Sequence, residues 1–449
     1  MSSAHRIAHP LRVTLMFALV ILTALAARQA AAIDIQRVVS PGGVEAWLVR
    51  DTSVPVISFT FAFDGGASLD PVGKEGRAKM VSALLDEGAG DLTSQEFQAR
   101  LEDIAARLRF SASSDRFSGT LRTLSANRDK AFELLALALT KPRFDAKPVE
   151  RIRAQMIAGL KSALQDPDTI ASRAWYKAVF PAHPYGRPNG GTIQSVKAIT
   201  IADLRGFTTG NLSRKSLKVG VAGDITAAEL SRRLDQIFGA LPANGAMRAV
   251  PDITPGAIGQ QIVIDQNVPQ SVVMFGHTGI ARDDPDWYTA SVMMRILGGG
   301  GFASRLTEEV REKRGLAYSV YSYLNPYKHT ALIMGGVATA NARVAESLKV
   351  IRAQWQLMAE KGVTEKELSS AKTYINGSFP LRLDSTRRIA GMVLAIQINK
   401  LGIGYLDRRS DLISAVTIDG IKRVAKRLLR ENDLTVVVVG RPKGLKSTP

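Results

Sequence analysis

Residues 297–320 read LGGGGFASRLTEEVREKRGLAYSV, in which four glycines precede a charged amphipathic stretch and a segment rich in strand formers. The pattern predicts a glycine-rich loop, a helix over residues 303–313 and a β-strand that begins at residue 316. Gly315 lies between the helix and the strand and permits a tight turn there. Arg311 then projects from the end of the helix and Tyr318 from the start of the strand.

The order of predicted elements around this stretch occurs twice in the chain. Residues 56–139 are predicted to form a strand, two helices, two strands and a helix, and residues 271–361 repeat that order. Corresponding points lie about 215 residues apart, which indicates a duplicated domain. Because helices and hairpin-type strand pairs cluster within each half, the sequence predicts an α+β fold with helices on one face of a mainly antiparallel sheet.

Residues 76–88 of the first half, GRAKMVSALLDEG, follow a predicted strand that ends in Asp-Gly-Gly. Together with residues 297–320, this segment resembles the insulinase/pitrilysin family of zinc peptidases. In that family an inverted H-x-x-E-H motif lies at this place, and Lys79, Ser82 and Ala83 occupy its H, E and H positions here. The resemblance covers nearly the whole chain after residue 32 and implies two homologous halves arranged as a clam around a cleft.

The same resemblance assigns a third vacant position and a substrate-binding pair. The family's third zinc ligand is a glutamate on a later helix, and Ala158 and Gly159 fall at that place. In the second half, the family holds its substrate through an Arg and a Tyr seven positions apart, which are Arg311 and Tyr318 in this sequence. The resemblance therefore implies a member that binds peptides but has lost its metal.

Zinc chemistry supports the absence of a metal cofactor in this chain. A hydrolytic zinc site needs three protein ligands and one open position, whereas the lysine at position 79 is cationic and would repel a dication. The sequence has five histidines, and only His183, His277 and His329 follow the first 32 residues. They are far apart in the sequence, and isolated histidines of this kind are most often structural.

Composition excludes several other classes of protein. The chain has no cysteine, so disulfides, thiolate metal sites and a cysteine nucleophile are absent. The formal net charge is +18, but the basic residues are dispersed and no nucleic-acid-binding motif accompanies them, so no nucleic-acid partner is expected.

The N-terminus has the layout of a secretory signal peptide. Arg6 and Arg12 precede the apolar run of residues 13–26, and small residues follow up to Ala32. The run is short for a membrane-spanning helix, so membrane contact is expected only through this segment, if it is not cleaved. The predicted location is outside the cytoplasm, in the periplasm. The predicted organisation is a signal peptide at 1–32, an insulinase-like domain without its zinc site at 33–240, a linker at 241–256 and an insulinase-like domain with the Arg/Tyr pair at 257–445.

These observations lead to two hypotheses about function. The first is a non-catalytic, substrate-binding subunit of an exported heterodimeric zinc metallopeptidase, inactive alone, with zinc supplied by a homologous H-x-x-E-H partner. The second is a peptide-binding or scaffold protein of the cell envelope with no proteolytic role. A self-sufficient hydrolase finds no supporting motif. Spacing alone also allows Arg311 to pair with Glu308 or Glu309 while Tyr318 caps a core strand.

Overall fold

The computed structural model describes residues 33–246 and 248–448, and residues from Ile35 onwards form one compact unit. The predicted signal peptide at residues 1–32 lies outside the described residues. None of the described helices is both long enough and apolar enough to cross a membrane.

Two β-sheets form the framework. The first has six strands in the order β1-β2-β6-β3-β5-β4 and the second has five in the order β7-β11-β8-β10-β9. Their bounds are β1 Gln36–Val39, β2 Glu45–Arg50, β3 Val56–Asp64, β4 Arg107–Ala112, β5 Arg116–Leu124, β6 Leu217–Gly223, β7 Gln261–Ile264, β8 Gln270–Thr278, β9 Ala317–Pro326, β10 Ala331–Ala340 and β11 Thr435–Val439. Apart from β1, the two strand orders are the same, and each sheet has one parallel pair, β2 with β6 and β7 with β11. The predicted pair of homologous, mainly antiparallel halves is confirmed.

The described α-helices follow a similar order in the two halves, with eight in the first and six in the second. In the first half they are α1 Arg77–Ser82, α2 Ser94–Asp103, α3 Arg128–Thr140, α4 Ala146–Ala163, α5 Pro167–Val179, α6 Ile193–Ala198, α7 Ile201–Asn211 and α8 Ala227–Phe238. In the second half they are α9 Trp287–Met294, α10 Val344–Lys361, α11 Glu365–Gly377, α12 Thr386–Ile398, α13 Tyr405–Ser414 and α14 Ile418–Leu428. Of the segment 76–88 quoted above, only Arg77–Ser82 is helical, because the chain leaves the helix after Ser82 and continues in turns.

Each half packs its own helices on one face of its sheet. On β3, Phe59 and Phe61 point to the same side and meet Phe132 of α3 and Phe238 of α8. In the second half, Phe275 of β8 contacts the buried Trp355 of α10. Alternation along the strands explains this arrangement, since every second side chain reaches the same core.

The opposite face of each sheet is partly covered by a helix from the other half. Helix α5 of the first half lies on the second sheet, where Trp175 is fully buried and its indole N–H donates to the Thr435 carbonyl at 3.0 Å. Helix α12 of the second half lies on the first sheet, where a Cβ at Gly220 would come within 2.5 Å of the Ala390 carbonyl oxygen. This exchange adds to the predicted layout, in which each sheet has helices on one face only. We call the face that receives the exchanged helix the inner face.

The two halves also meet at their hairpin tips. In the turn between β4 and β5, the Asp115 carboxylate accepts hydrogen bonds from the Tyr185 hydroxyl at 2.6 Å and from the Lys328 backbone N–H at 3.0 Å. Lys328 follows β9 and also forms an ion pair with Asp64 at 3.0 Å. The edge strands β4 and β9 therefore start away from this contact and end close to it.

The predicted linker, residues 241–256, has no helix or strand in its described part, 241–246 and 248–256. It contacts both halves, because the Pro251 carbonyl lies 3.0 Å from His183 Nε2 and the Ile253 N–H donates to the His329 carbonyl at 2.9 Å. The boundaries proposed for the two domains stay a prediction.

Candidate functional site

The backbone that carries Arg311 is an irregular helix. Residues Thr307–Glu312 form a π-helical segment, and a second π segment covers Arg295–Gly299 just before the glycine run. Single π turns are rare in proteins and are frequent at functional sites. The predicted turn at Gly315 is present, with φ of +57°, and its carbonyl accepts a hydrogen bond from Arg343 at 2.6 Å.

Tyr318 lies at a β-bulge. Ala338 of β10 pairs with Ser319 and the next residue, Thr339, pairs with Ala317, so Tyr318 is the extra residue on β9. A bulge turns its extra side chain away from the regular alternation, and bulges are common beside active sites. The Tyr318 side chain is 81% exposed as a result.

Arg311 lies between two exposed aromatic rings. Its guanidinium carbon is 4.7 Å from the ring centre of Phe302 and 4.7 Å from the ring centre of Tyr318. Phe302, in the loop after the glycine run, is 74% exposed. Arg311 forms its ion pair with Glu312 at 3.3 Å, whereas Glu308 and Glu309 pair with Lys313. We call Phe302, Arg311 and Tyr318 the aromatic–arginine cluster.

The cluster can offer donors to a peptide backbone. A guanidinium presents a rigid fork of N–H groups and a phenol adds one O–H, while stacking on aromatic rings fixes the plane of the fork. Sequence reasoning identified Arg311 and Tyr318 but missed Phe302. The available signal was a large aromatic residue next to four glycines, a context that cannot bury it.

The four vacant metal positions lie on helix α1, directly after it and on helix α4. Lys79 is exposed on α1, whereas Ser82 is buried and its hydroxyl donates to the Lys79 carbonyl at 2.8 Å. Ala83 packs partly buried against the core of the first half. Helix α4 packs on α1, and Ala158 lies exposed on it.

This donor set does not fit zinc. A lysine, a hydroxyl that is already engaged and two alanine methyl groups supply no ligand of the type that zinc requires. Within residues 33–246 and 248–448, no group of three or more His, Asp or Glu side chains is arranged to hold a metal ion.

A carboxylate holds the start of helix α1 in place. Asp70 is fully buried and accepts hydrogen bonds from the backbone N–H groups of Gly76 at 2.9 Å and Ala78 at 3.0 Å. Burial raises the pKa of this carboxyl to about 6, although these hydrogen bonds and Arg77 act in the opposite direction. Helix α1, where the resemblance to the zinc peptidases would place the metal motif, is thus retained here as a structural element.

The three histidines have structural partners. His183 accepts the Tyr185 N–H at its Nδ1, and His277 lies next to the indole N–H of Trp355 at 3.3 Å. Burial lowers the pKa of both imidazoles. His329 contacts the Asp252 carboxylate at 2.9 Å. These positions agree with the structural roles expected from the sequence.

The aromatic–arginine cluster lies in a part of the chain that matches a known family model. Residues 198–375 match the family model described as the peptidase M16 inactive domain. The Helicobacter pylori protein named non-peptidase homolog YmxG is 28% identical over 391 residues, which cover 87% of this chain and 90% of that protein. An uncharacterised zinc protease of Streptomyces coelicolor is 26% identical over 412 residues, 90% of this chain and 89% of its own length.

Solved structures agree with the sequence matches. The peptidase M16 inactive domain from Pseudomonas fluorescens superposes with a TM-score of 0.85 and 28% identity, covering 93% of this chain and 99% of that one. A chain of complex III2 from Candida albicans has a TM-score of 0.75 at 15% identity over 90% of this chain and 96% of its own, which shows the shared fold alone. Residues 198–375 thus match the peptidase M16 inactive domain, and over most of its length the chain is similar to a non-peptidase homologue and to uncharacterised zinc proteases.

Proposed function

We propose that this chain is the substrate-binding, non-catalytic subunit of a heterodimeric zinc metallopeptidase. The observation that carries the proposal is the separation of two functions within one fold. The aromatic–arginine cluster is assembled and exposed, while Lys79, Ser82 and Ala83 leave the metal positions without ligands. A homologous partner with an H-x-x-E-H motif would supply the zinc.

In such a complex, Arg311 and Tyr318 bind the peptide and stabilise the charge that hydrolysis builds on it, while the partner supplies the zinc. Hydrolysis builds negative charge on the former carbonyl oxygen, and fixed donors aimed at that oxygen stabilise the transition state by several kcal/mol, in the range of about 2.7–4 per donor. Arg311 is already oriented by two rings, so less side-chain entropy is lost when it binds. The partner's zinc would polarise the carbonyl and activate water.

The proposal includes export to the periplasm. It rests on the layout of residues 1–32, in which two arginines, an apolar run and small residues succeed one another. The partner is therefore expected to carry an export signal as well.

The test is purification of a tagged copy from its native host, followed by mass spectrometry, metal analysis and peptide cleavage assays. We expect a near-stoichiometric relative with H-x-x-E-H, about one zinc per heterodimer and cleavage by the complex alone. Recovery of this chain without such a partner, together with an envelope fraction that cleaves peptides equally well after its gene is deleted, would contradict the proposal.

The second candidate is a peptide-binding or scaffold protein of the cell envelope. It is favoured by the fact that the aromatic–arginine cluster is complete within this one chain. It predicts peptide binding by the isolated chain and no cleavage in any combination with envelope peptidases, so the same purification separates the two candidates.

A further inference from the structure

Four arginines gather on the uncovered part of the first inner face. Arg107 and Arg109 alternate along the edge strand β4, Arg122 lies on the neighbouring strand β5, and Arg387 is in the first turn of the exchanged helix α12. Together they line an open cavity of about 380 Å³ whose wall also includes Ser58, Thr60, Ser385 and Thr386. We call these four residues the arginine face.

The arginine face is not neutralised within the described chain. All four side chains belong to exposed residues, and none makes a hydrogen bond or an ion pair of 4.0 Å or less to a residue in 33–246 or 248–448. Arg107, Arg109 and Arg122 also line a neighbouring cavity that includes Asp86, Glu87 and Glu102. Arg109 acts on Asp86 only through longer-range attraction, and Glu87 is paired with Arg151 at 2.5 Å.

The arrangement carries an electrostatic cost in the free protein. Arg107 and Arg122 are directly opposite one another in the β4–β5 register. Like charges at such cross-strand positions, about 5 Å apart at Cβ, destabilise a sheet. The start of α12 adds the positive end of a helix of 13 residues to the same cavity. An anionic occupant would relieve this repulsion.

The fold itself does not require this charge. In the duplicated second sheet, the inner face of the edge strand β9 carries Tyr321 and Tyr323, whose rings stack at 6.1 Å, and Gly336 lies directly opposite Tyr321. The same architecture therefore forms with uncharged residues at the corresponding edge. Charge on β4 is a property of this surface and not of the sheet.

We propose that the arginine face binds an acidic peptide segment, with Asp or Glu side chains at alternate positions opposite Arg107 and Arg109. Side chains on one face of an extended strand repeat about every 6.6–6.8 Å, so carboxylates two residues apart match the two arginines. Guanidinium groups pair with carboxylates through bidentate hydrogen bonds. The inference rests on the proposed role in peptide binding and adds the substrate class.

The test uses the full chain without its signal segment and two fluorescent twelve-residue peptides, one with glutamate at alternate positions and one with glutamine in the same places. Fluorescence anisotropy gives both dissociation constants for the wild type, for R107Q/R109Q and for the control R50Q/K349Q. Arg50 and Lys349 are exposed, and Arg50 ends β2, three strands away from β5. The control removes two charges elsewhere, so it reports on non-specific attraction.

We expect the glutamate peptide to bind about three- to tenfold more tightly than the glutamine peptide, as two partly exposed ion pairs allow. That preference should disappear in R107Q/R109Q and persist in R50Q/K349Q. Equal affinity for both peptides, or a preference that survives R107Q/R109Q, overturns the inference. Arginine-dependent binding of phosphatidylglycerol vesicles or single-stranded DNA in preference to the peptide also overturns it.

The outcome is separable from the proposed function. R311A should weaken binding of both peptides by the same factor, because the aromatic–arginine cluster contacts the backbone. If the wild type shows no preference for the glutamate peptide but R311A still weakens binding of both peptides, the inference fails and the peptidase-subunit proposal stands.

Discussion

At the scale of single residues, the site depends on two departures from regular structure. Arg311 lies in a π-helical segment and Tyr318 at a β-bulge, and these irregularities bring both side chains to a common place with Phe302. In a regular helix and a regular strand, the directions of these side chains would be set only by the repeat of each element. The local geometry is therefore as specific to this site as the residue types.

Removing either donor should slow the complex without disrupting it. For R311A we expect peptide turnover by the heterodimer to fall by between about tenfold and a hundredfold, less than for a fully buried oxyanion donor because Arg311 is partly exposed. Y318F removes one hydroxyl and should have a smaller effect. The control is R314A, since Arg314 is close in sequence but pairs with Glu309.

Assembly of these variants should be measured by size-exclusion chromatography beside the steady-state kinetics. Full turnover in both R311A and Y318F, with assembly intact, would show that the assigned pair does not bind substrate.

A half-buried carboxyl just after helix α1, Asp86, should affect stability as a function of pH. Burial raises the pKa of Asp86 from 3.8 to about 6. The folded state therefore holds this proton more tightly than the unfolded state does, so this group's stabilising contribution is full below pH 3.8 and is lost as the pH rises through about 6. D86N removes this pH-dependent loss of stability. Asp70, whose pKa is also raised, still contributes a loss of stability in the same direction.

The measurement is the free energy of unfolding in urea at pH 4, 5, 6 and 7 for the wild type and for D86N. From pH 4 to pH 7, the free energy of unfolding of D86N should increase relative to that of the wild type. A difference that is constant with pH would contradict the assignment, and D103N on the exposed end of α2 controls for the loss of one negative charge.

At the scale of elements, the exchanged helices bind the two halves together. Trp175 of α5 is fully buried under the second sheet, and a Cβ at Gly276 would lie 3.0 Å from its ring. In the reverse direction, the Gln397 side chain of α12 accepts the backbone N–H of Val219 in β6 at 2.9 Å. Each sheet therefore depends on a helix encoded in the other half.

Truncation of Trp175 should destabilise the whole molecule. W175A is expected to cost about 3–5 kcal/mol of unfolding free energy, as large-to-small changes of buried tryptophan do, and W175F substantially less. Far-ultraviolet circular dichroism in urea should show one cooperative transition at a lower midpoint. Separate transitions for the two halves would show that the exchange does not couple them.

Sequence reasoning identified elements and their repeat more fully than their contacts. The order of elements in both halves, the turn at Gly315 and the helix that ends the segment 271–361 follow from periodicity and glycine placement, which are local signals. The exchange of α5 and α12 is a feature of tertiary packing. An amphipathic pattern shows which face of a helix is buried, but it does not show which sheet that face packs on. The bulge at Tyr318 and the π turn at Arg311 arise from packing and leave no signature in spacing.

At the scale of the whole molecule, the stability of the isolated chain should not depend on zinc. A protein that binds zinc only in its folded state becomes more stable as zinc is added. The gain grows with the logarithm of the ratio of the zinc concentration to the dissociation constant. Because Lys79, Ser82, Ala83 and Ala158 supply no ligands, the melting temperature of the isolated chain should not change with micromolar zinc or with a chelator. Differential scanning fluorimetry checks this, and a rise of several degrees with zinc would contradict it.

The helix exchange has a consequence for how such a molecule could be built and divided. Two similar single-half chains that exchanged one helix each would form nearly the same framework, as in a homodimer whose subunits are joined through residues 241–256. A gene cut at this join and expressed as two pieces should return one reconstituted particle. Either piece alone would leave a sheet without its foreign helix, and we expect it to aggregate.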